Sequence, residues 1–317
     1  MFWGDKRYNS LNYYLKQTYG RKIYKLSLDG GMTCPNRDGT LDHRGCIFCS
    51  RGGSGDFAAP VCNSVTTQIN NGIAALHRTK PGITGFIAYF QSYTNTYAPV
   101  EYLRKLFTEA IMHPDVVCLS IATRPDCLPD EVIQMLARLN NIKPVWVELG
   151  LQTIHEPTAD YIRRGYPLPV YNEAVQKLSF YGIQIVTHVI IGLPGETVDD
   201  VLNTIRHVCL FPLNGIKLQL LHVLKYTDLA DELGTFHILT FDEYTDTIVK
   251  CIEIIPQHIV IHRLTGDAPA KLLIEPGWSR SKIEVLNTIN RKLREHDTWQ
   301  GRCADNNIYY KNQEAGT

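Results

Sequence analysis

An α/β fold, with a parallel sheet flanked by helices, is the class this sequence predicts. Three observations carry that reading. β-rich runs alternate with longer amphipathic ones along the chain. After the first run, successive strand centres fall roughly 30 to 40 residues apart, the size of a βα unit. Polar residues also collect at the carboxyl ends of the predicted strands, the edge where parallel α/β sheets gather their chemistry. Six such units fit a partial or closed (β/α) barrel, or a doubly wound sheet.

The predicted strands span residues 22–28, 84–90, 116–122, 144–151, 183–191 and 215–221. Helices are predicted between them over 64–79, 99–113, 129–140, 169–181 and 197–211. Several open with a proline in the first turn, where its missing N–H leaves no helical bond unmade. A helix over 242–255, a strand over 258–264 and an amphipathic helix over 282–294 follow, and the polar tail 311–317 reads as loose. Residues 1–225 are expected to form the core with an N-terminal cysteine loop. Residues 226–317 are expected as a small carboxyl-terminal extension (helix, strand, helix) packed on it.

The strand ends differ in what they carry. The first runs into a loop holding Cys34, Cys46 and Cys49. The second ends in Gln91-Ser-Tyr-Thr-Asn95 and the third in Thr123-Arg-Pro-Asp126. The fourth holds Glu148, Gly150 and Gln152, the fifth ends in Gly192-Leu-Pro-Gly-Glu196, and the sixth holds Gln219 and ends near His222.

The chain has 317 residues, 44% of them hydrophobic, enough for a sizeable core. Its 32 basic and 32 acidic side chains balance, which neither demands nor forbids a nucleic-acid partner. Arg21, Lys22 and Lys25, and later Arg280, Lys282, Arg291, Lys292 and Arg294, form local basic groups that on their own read as solvated faces. No charged-then-apolar leader opens the chain and no apolar run reaches membrane-spanning length. Nine cysteines in a chain this long do not call for disulfide staples, and a cytoplasmic protein with reduced thiols is expected.

Cys34 is followed after eleven residues by Cys46, and that after two by Cys49. A Cys-x-x-Cys turn lets both sulfurs face one ligand, and a third thiol leaves a tetrahedral site one position open. Three readings compete: an iron–sulfur cluster with one open iron, a structural zinc with Cys62 or His43 as fourth ligand, or an incidental grouping. Phe48, between the paired cysteines, is a flat side chain placed to cover a planar ligand. Cys118 in a strand and Cys209 and Cys251 in helices read as small buried hydrophobes. Cys62, Cys127 and Cys303 have no evident partner.

Cys46-Ile-Phe-Cys49 with Cys34 upstream resembles the cluster loop of radical S-adenosylmethionine enzymes. The long first gap resembles the branch that includes the catalytic subunit of Elongator, and more closely the bacterial YhcC/YtqA-like family. The resemblance runs through Thr33-Cys-Pro-Asn-Arg-Asp-Gly39, Tyr89-Phe-Gln-Ser-Tyr-Thr-Asn-Thr96, Ala122-Thr-Arg-Pro-Asp126, Glu148-Leu-Gly-Leu-Gln152, Arg163-Arg-Gly165, Ile191-Gly-Leu-Pro-Gly-Glu196 and Arg263-Leu-Thr-Gly-Asp267. It covers nearly the whole chain.

The resemblance implies a partial (β/α)6 barrel holding a [4Fe–4S] cluster on Cys34, Cys46 and Cys49. It implies reductive cleavage of S-adenosylmethionine to a 5′-deoxyadenosyl radical, the cofactor supplying the hard chemistry. By the same resemblance Phe48 would lie on the adenine, Ile191-Gly192-Leu193 would give it an apolar ledge and backbone hydrogen bonds, and Arg164 would pair with the methionine carboxylate. Glu148, Gln152 and His188 would contact the ribose and methionine portions. Gln91-Ser92-Tyr93 stands where many relatives carry a Gly-Gly-Glu segment for the methionine amine. Relatives with the long gap act on the wobble uridine of tRNA. The implied reaction is conversion of 5-carboxymethylaminomethyl-uridine to 5-aminomethyl-uridine, with flavodoxin or ferredoxin as electron donor. Tyr93, Tyr97, Arg124, Gln219, His222 and Arg263 are the implied substrate contacts. Trp146 is a further aromatic for a splayed base, and Tyr13, Tyr14, Tyr19 and Tyr24 with Lys16, Arg21 and Lys22 are one candidate RNA surface. The competing readings are a radical enzyme acting on a small metabolite or protein, and a zinc-stabilised RNA-binding protein.

Overall fold

The structure is a computed structural model that describes residues 2–53, 55, 56, 58 and 64–304. Its elements begin with α1 (Leu11–Tyr19), β1 (Tyr24–Leu28), α2 (Val65–His77), β2 (Phe86–Phe90), α3 (Val100–Met112), β3 (Val116–Thr123), α4 (Asp130–Asn140) and β4 (Val145–Gln152). Next come α5 (Glu156–Tyr161), α6 (Leu168–Phe180), β5 (Gln184–Ile191), α7 (Val198–Cys209), β6 (Gly215–Leu220) and β7 (Val223–Leu224). The chain continues through α8 (Asp228–Asp231), α9 (Phe241–Ile254), β8 (Val260–Arg263), β9 (Leu273–Glu275) and α10 (Lys282–Glu295).

Seven strands pair in parallel in the order β1-β2-β3-β4-β5-β6-β8, a curled half-barrel rather than a doubly wound sheet. Sequential order is what right-handed βαβ units laid side by side produce, with each helix returning over the outer face. β1 and β8 end the sheet. The β8 edge is covered by the N-terminal segment, where Ser10 bridges Ile261 and the Ile261 amide donates to Asn9 O at 2.8 Å. The seventh strand comes from the carboxyl-terminal segment, so that segment extends the sheet itself. β7 and β9 form a separate antiparallel pair.

Strand faces follow the two-residue alternation. β2 is buried at every position, as a strand covered on both sides must be. Helix faces follow the 3.6-residue period: α7 buries Val201, Leu202, Thr204, Ile205 and Val208 against the sheet. Thr197 and Asp200 close a reciprocal capping box at its start, and Thr240 and Glu243 do the same for α9. Pro99 and Pro129 sit one place earlier than expected, as the residue before each helix, whereas Pro169 stands in the first turn of α6 as expected. The sequence reading missed α1, α5, α8, β7 and β9; apart from α1 these are two to six residues long, too short to show a period. Residues 311–317 and Cys62 lie outside the described residues. Among those described, no helix is long and apolar enough to cross a membrane.

Candidate active site

The loop after β1 brings three thiols to the carboxyl ends of the strands. Two backbone turns shape it: the Arg37 amide donates to Cys34 O at 2.8 Å, and the Cys49 amide to Cys46 O at 3.0 Å. Asn36 ties the halves together, its Nδ2 donating to Arg163 O at 2.7 Å and to the Cys46 sulfur at 3.5 Å. Arg37 reaches across the turn to Cys49 O (3.0 Å) and Ser50 O (2.7 Å). Gly45 has φ of 80°, and a Cβ there would stand 2.8 Å from Arg37 Nε, so glycine is required on both counts. The Ile47 amide donates to Ile162 O, and the Leu229 amide donates to Ile47 O, fastening the loop to α5 and α8.

Cys34, Cys46 and Cys49 line one cavity of about 660 Å³. The Cys46 thiol is lowered to about 6, first by a hydrogen bond with Cys49, then by the Arg124 charge, Asn36 and Arg37, against the opposing effect of burial. A thiolate-prone sulfur among cations is the form that binds metal. No three or more His, Cys, Asp or Glu side chains among the described residues form a group that could hold one metal ion, so the thiols do not converge on a single point. His43 lies over Gly39 and is not part of this wall.

Opposite the thiols, the cavity floor is a buried charged cluster inside the half-barrel. Glu148 on β4 is fully buried. Its Oε1 accepts from Lys25 Nζ and Ser120 Oγ, each at 2.6 Å, and its Oε2 accepts from His188 Nε2 at 2.8 Å and, in close contact, from Lys217 Nζ. Lys217 also donates to Tyr89 OH at 3.0 Å, and both ammoniums lie over the Tyr89 ring. Burial alone would raise the Glu148 carboxyl; Lys217, Lys25 and the His188 hydrogen bond hold it well below its usual range. Burial and then the Lys217 charge push His188 down to about 4, so its ring is neutral. With Nε2 donating to Glu148, Nδ1 is left as an acceptor, 3.4 Å from Gln219 Nε2. Burial lowers Lys217 to about 7 despite Glu148.

The structure gathers most of the expected site residues around this cavity: Phe48, Gln91, Tyr93, Arg124, Glu148, Gln152, Arg164, His188, Gln219, His222 and Arg263 all line it. Others fall elsewhere. Ile191 points into the main core, and Gly192, with φ of 90°, abuts Leu239. Leu193 packs behind the wall with Ile47, and the apolar face beside Phe48 is made instead by Ile162, Ile190 and Leu221. The register is one residue off, and a single step along a strand exchanges its faces. Ser92 is buried beneath Gly55 and does not reach the cavity. Tyr97 lines a neighbouring outer groove and bonds Thr40. Trp146 is buried at the amino end of β4 against Tyr14 and His262, far from the rim. The Tyr14, Tyr19 and Tyr24 surface shares that wrong end, since Tyr24 opens β1 and Tyr19 approaches Val117 near the start of β3.

Arg164 has a structural part that the sequence did not suggest. It is 2% exposed, and its three nitrogens donate to Tyr166 O (2.8 Å), Thr153 O (2.6 Å) and Glu156 Oε2 (3.0 Å). It braces the turn after β4 with three of its five N–H groups while lining the cavity. Arg164→Ala leaves two buried carbonyls unpartnered and is expected to lower unfolding free energy by about 2 to 4 kcal/mol in urea titration. Unchanged stability would remove the bracing part.

The sequence reading did not assign Lys217, Ser120 or Tyr89, and placed Lys25 only among surface charges. The signal was present in the alternation. Lys217 and Gln219 share one face of β6, as Glu148, Gly150 and Gln152 share one face of β4. Polar residues at a spacing of two inside an apolar strand mark the barrel interior.

A half-barrel that presents three thiols at the carboxyl ends of its strands is the architecture of radical S-adenosylmethionine enzymes. The chain belongs to the radical SAM superfamily: the model of that family matches residues 43–208, and the radical SAM C-terminal domain model matches residues 213–295. The protein YtqA of Bacillus subtilis (strain 168) is 46% identical over 301 residues, covering 94% of this chain and 93% of YtqA. A tRNA uridine(34) acetyltransferase of Methanocaldococcus infernus is 24% identical over 62% of this chain and 37% of its own length. The solved structure of archaeal Methanocaldococcus infernus Elp3 with an N-terminal deletion superposes with a TM-score of 0.66 at 16% identity, over 88% of this chain and 64% of that one.

The family implies a [4Fe–4S] cluster and S-adenosylmethionine, and the cavity fits both. Three thiols on one cavity wall, with the Cys46 sulfur thiolate-prone near Arg124 and Arg37, are the donors such a cluster takes. Gln152 Oε1 is buried with no hydrogen-bond partner, an acceptor waiting for a polar ligand. Phe48, Ile162, Ile190 and Leu221 give a flat ring an apolar wall.

Proposed function

We propose that this chain is a cytoplasmic tRNA-modifying enzyme that removes the carboxymethyl group of 5-carboxymethylaminomethyl-uridine at the wobble position: the N–CH2 carbon of that group loses a hydrogen atom and an electron to give an imine, and water adds to it, leaving 5-aminomethyl-uridine and releasing the two carbons as glyoxylate. When bound, the cluster and S-adenosylmethionine supply hydrogen-atom abstraction, with an electron from flavodoxin or ferredoxin. The observation that carries the reading is one cavity that joins the thiol wall to a cationic floor. An anionic side chain entering there meets ammonium and guanidinium groups directly opposite the thiols. Cys34, Cys46 and Cys49 would hold the cluster, Arg37 and Arg124 would offset its negative charge, and Gln152 and Phe48 would bind and orient the nucleoside portion of the cofactor.

The rim also suits a nucleic acid. The β7–β9 pair continues directly from Leu224, which lines the cavity, and carries exposed Lys225, Tyr226 and Lys271. Tyr226 is 78% exposed and holds φ at 66°, an unfavourable angle for an aromatic residue. An aromatic ring held out beside ammonium groups is the arrangement that stacks a base and steers phosphates. The similarity to a tRNA uridine(34) acetyltransferase supports the choice of tRNA.

The test is mass spectrometry of tRNA nucleosides from cells with and without the gene. Deletion is expected to accumulate the carboxymethylaminomethyl nucleoside and deplete its aminomethyl product. An unchanged nucleoside profile would remove tRNA as the substrate.

A further inference from the structure

We propose that the cavity floor is a carboxylate-binding subsite, in which the Lys217 ammonium and the neighbouring Arg263 guanidinium receive the carboxylate at the reacting end of the substrate. Naming that carboxylate as the carboxymethyl group of a wobble uridine rests on the function proposed above. The subsite itself rests on geometry and charge balance.

Lys217 and Arg263 are direct partners across the β6–β8 ladder, and His188 is the partner of Lys217 across β5–β6. Adjacent strands therefore place an imidazole, an ammonium and a guanidinium in one row, and all three line the cavity. Like charges side by side on a sheet repel, and burial makes that costlier. The groups that face Lys217 come from every strand around it: Lys25 on β1, Tyr89 on β2, Glu148 on β4, His188 on β5, and Arg263 with His262 on β8. Asp267, in the loop after β8, is 3.3 Å from Arg263 but is also gripped by Lys282 at 2.6 Å. His188 and His222 are both pushed down to about 4 by burial and carry no charge at neutral pH.

Lys217 and Arg263 line the floor with Glu148 and Asp267, but Glu148 is shared with Lys25 behind it and Asp267 with Lys282 outside it, so the two cations in the cavity have less than one carboxylate each. Lys282 is open to water; Lys217 is 4% exposed and is not. A ligand carboxylate between Lys217 and Arg263 would supply the missing negative charge, with Gln219 beside it as a further polar contact. Such a ligand favours the protonated lysine. Lys217 stands at about 7 without it, so binding takes up a proton and weakens as pH rises above that value.

The experiment is calorimetric titration of the anaerobically reconstituted protein with S-adenosylmethionine saturating and no reductant, so that the cofactor's own carboxylate is already placed. The probes are methoxyacetate, its amide, which carries no charge at either pH, and inorganic phosphate, at pH 6.5 and 8.5. Methoxyacetate is expected to bind at least tenfold tighter than the amide at pH 6.5, with that preference shrinking severalfold by pH 8.5. Lys217→Gln should abolish the preference. Lys217→Arg should keep it and flatten its pH dependence, because a guanidinium does not titrate there. Equal binding of acid and amide, no heat from either, phosphate binding as tightly as the acid, or a preference surviving in Lys217→Gln would each overturn the subsite. Wild-type preference and its pH dependence are read without any variant, so a misfolded variant leaves the test intact. If the acid is preferred but tRNA nucleosides do not change on gene deletion, the subsite stands and the substrate assignment falls. If nucleosides change and no preference exists, the reverse holds.

Discussion

Alanine at Cys34, Cys46 or Cys49 is expected to bring reductive cleavage of S-adenosylmethionine below detection, singly and in each case. The three thiols reach the cavity from one loop, and each occupies a different point on its wall. Removing one takes away an anchor that no neighbour replaces. Cys127 is the nearest thiol in chemical character, but burial followed by the charge of Asp126 pushes it up to about 12, so it stays protonated. Asp126 is engaged by Arg124 through two hydrogen bonds, at 2.9 and 2.7 Å. The fold should hardly notice, because the loop is fastened mainly by Asn36, Arg37 and backbone bonds, the sulfur contacts of Cys46 being long ones at 3.5 and 3.6 Å. Thermal unfolding of the variants before cluster reconstitution should therefore match wild type to within about 1 kcal/mol. The measurements are 5′-deoxyadenosine formed under a strong reductant, and iron and sulfide content. Wild-type cleavage in all three variants would sink the ligand assignment, and with it the iron–sulfur reading of the cavity.

The parts of this fold that were legible in the sequence are those in which one physical signal dominates. Apolar β-branched runs at βα spacing gave the six main strands nearly to the residue, because a strand buried on both faces tolerates little else. The Cys-x-x-Cys turn was visible because only a short turn brings two sulfurs together. The errors fall where two signals compete. Ile191-Gly192-Leu193 was read one step out of register, since an all-apolar strand end carries no alternation to say which side chain faces inward. The bracing part of Arg164 stayed hidden because a lone arginine after a strand does not reveal the three acceptors that hold it. Lys25 looked like surface charge beside Arg21 and Lys22, although a lysine in a strand reaches whichever side its position dictates. Lys217 was hidden for the opposite reason. A charged residue in an apolar strand acquires meaning only when strands far apart in sequence, here β2 with Tyr89 and β4 with Glu148, bring it a partner.

Glu148→Gln is expected to destabilise the fold by about 3 to 5 kcal/mol, the cost of removing one member from a buried ion cluster. The carboxylate is fully buried and takes hydrogen bonds from Lys25, Ser120, His188 and Lys217. An amide can accept some of these bonds but leaves two ammoniums facing each other inside the half-barrel. The pH dependence has a definite sign. Glu148 is held below its unfolded value, so its stabilisation is fully present above the unfolded carboxyl range near about 4.3 and fades only as pH falls toward the lower folded value. Wild type and Glu148→Gln should therefore differ most at neutral pH and converge in acid. Adding Lys217→Gln to Glu148→Gln should recover part of the loss, since it removes one of the stranded charges, and the two changes together should cost less than their sum. Urea unfolding midpoints of the four proteins at pH 7 and at about pH 3, clearly below the unfolded carboxyl value, decide it. Strict additivity, or a Glu148→Gln midpoint within about 0.5 kcal/mol of wild type, would mean that the floor is not a coupled cluster and that Lys217 is not held in place by Glu148.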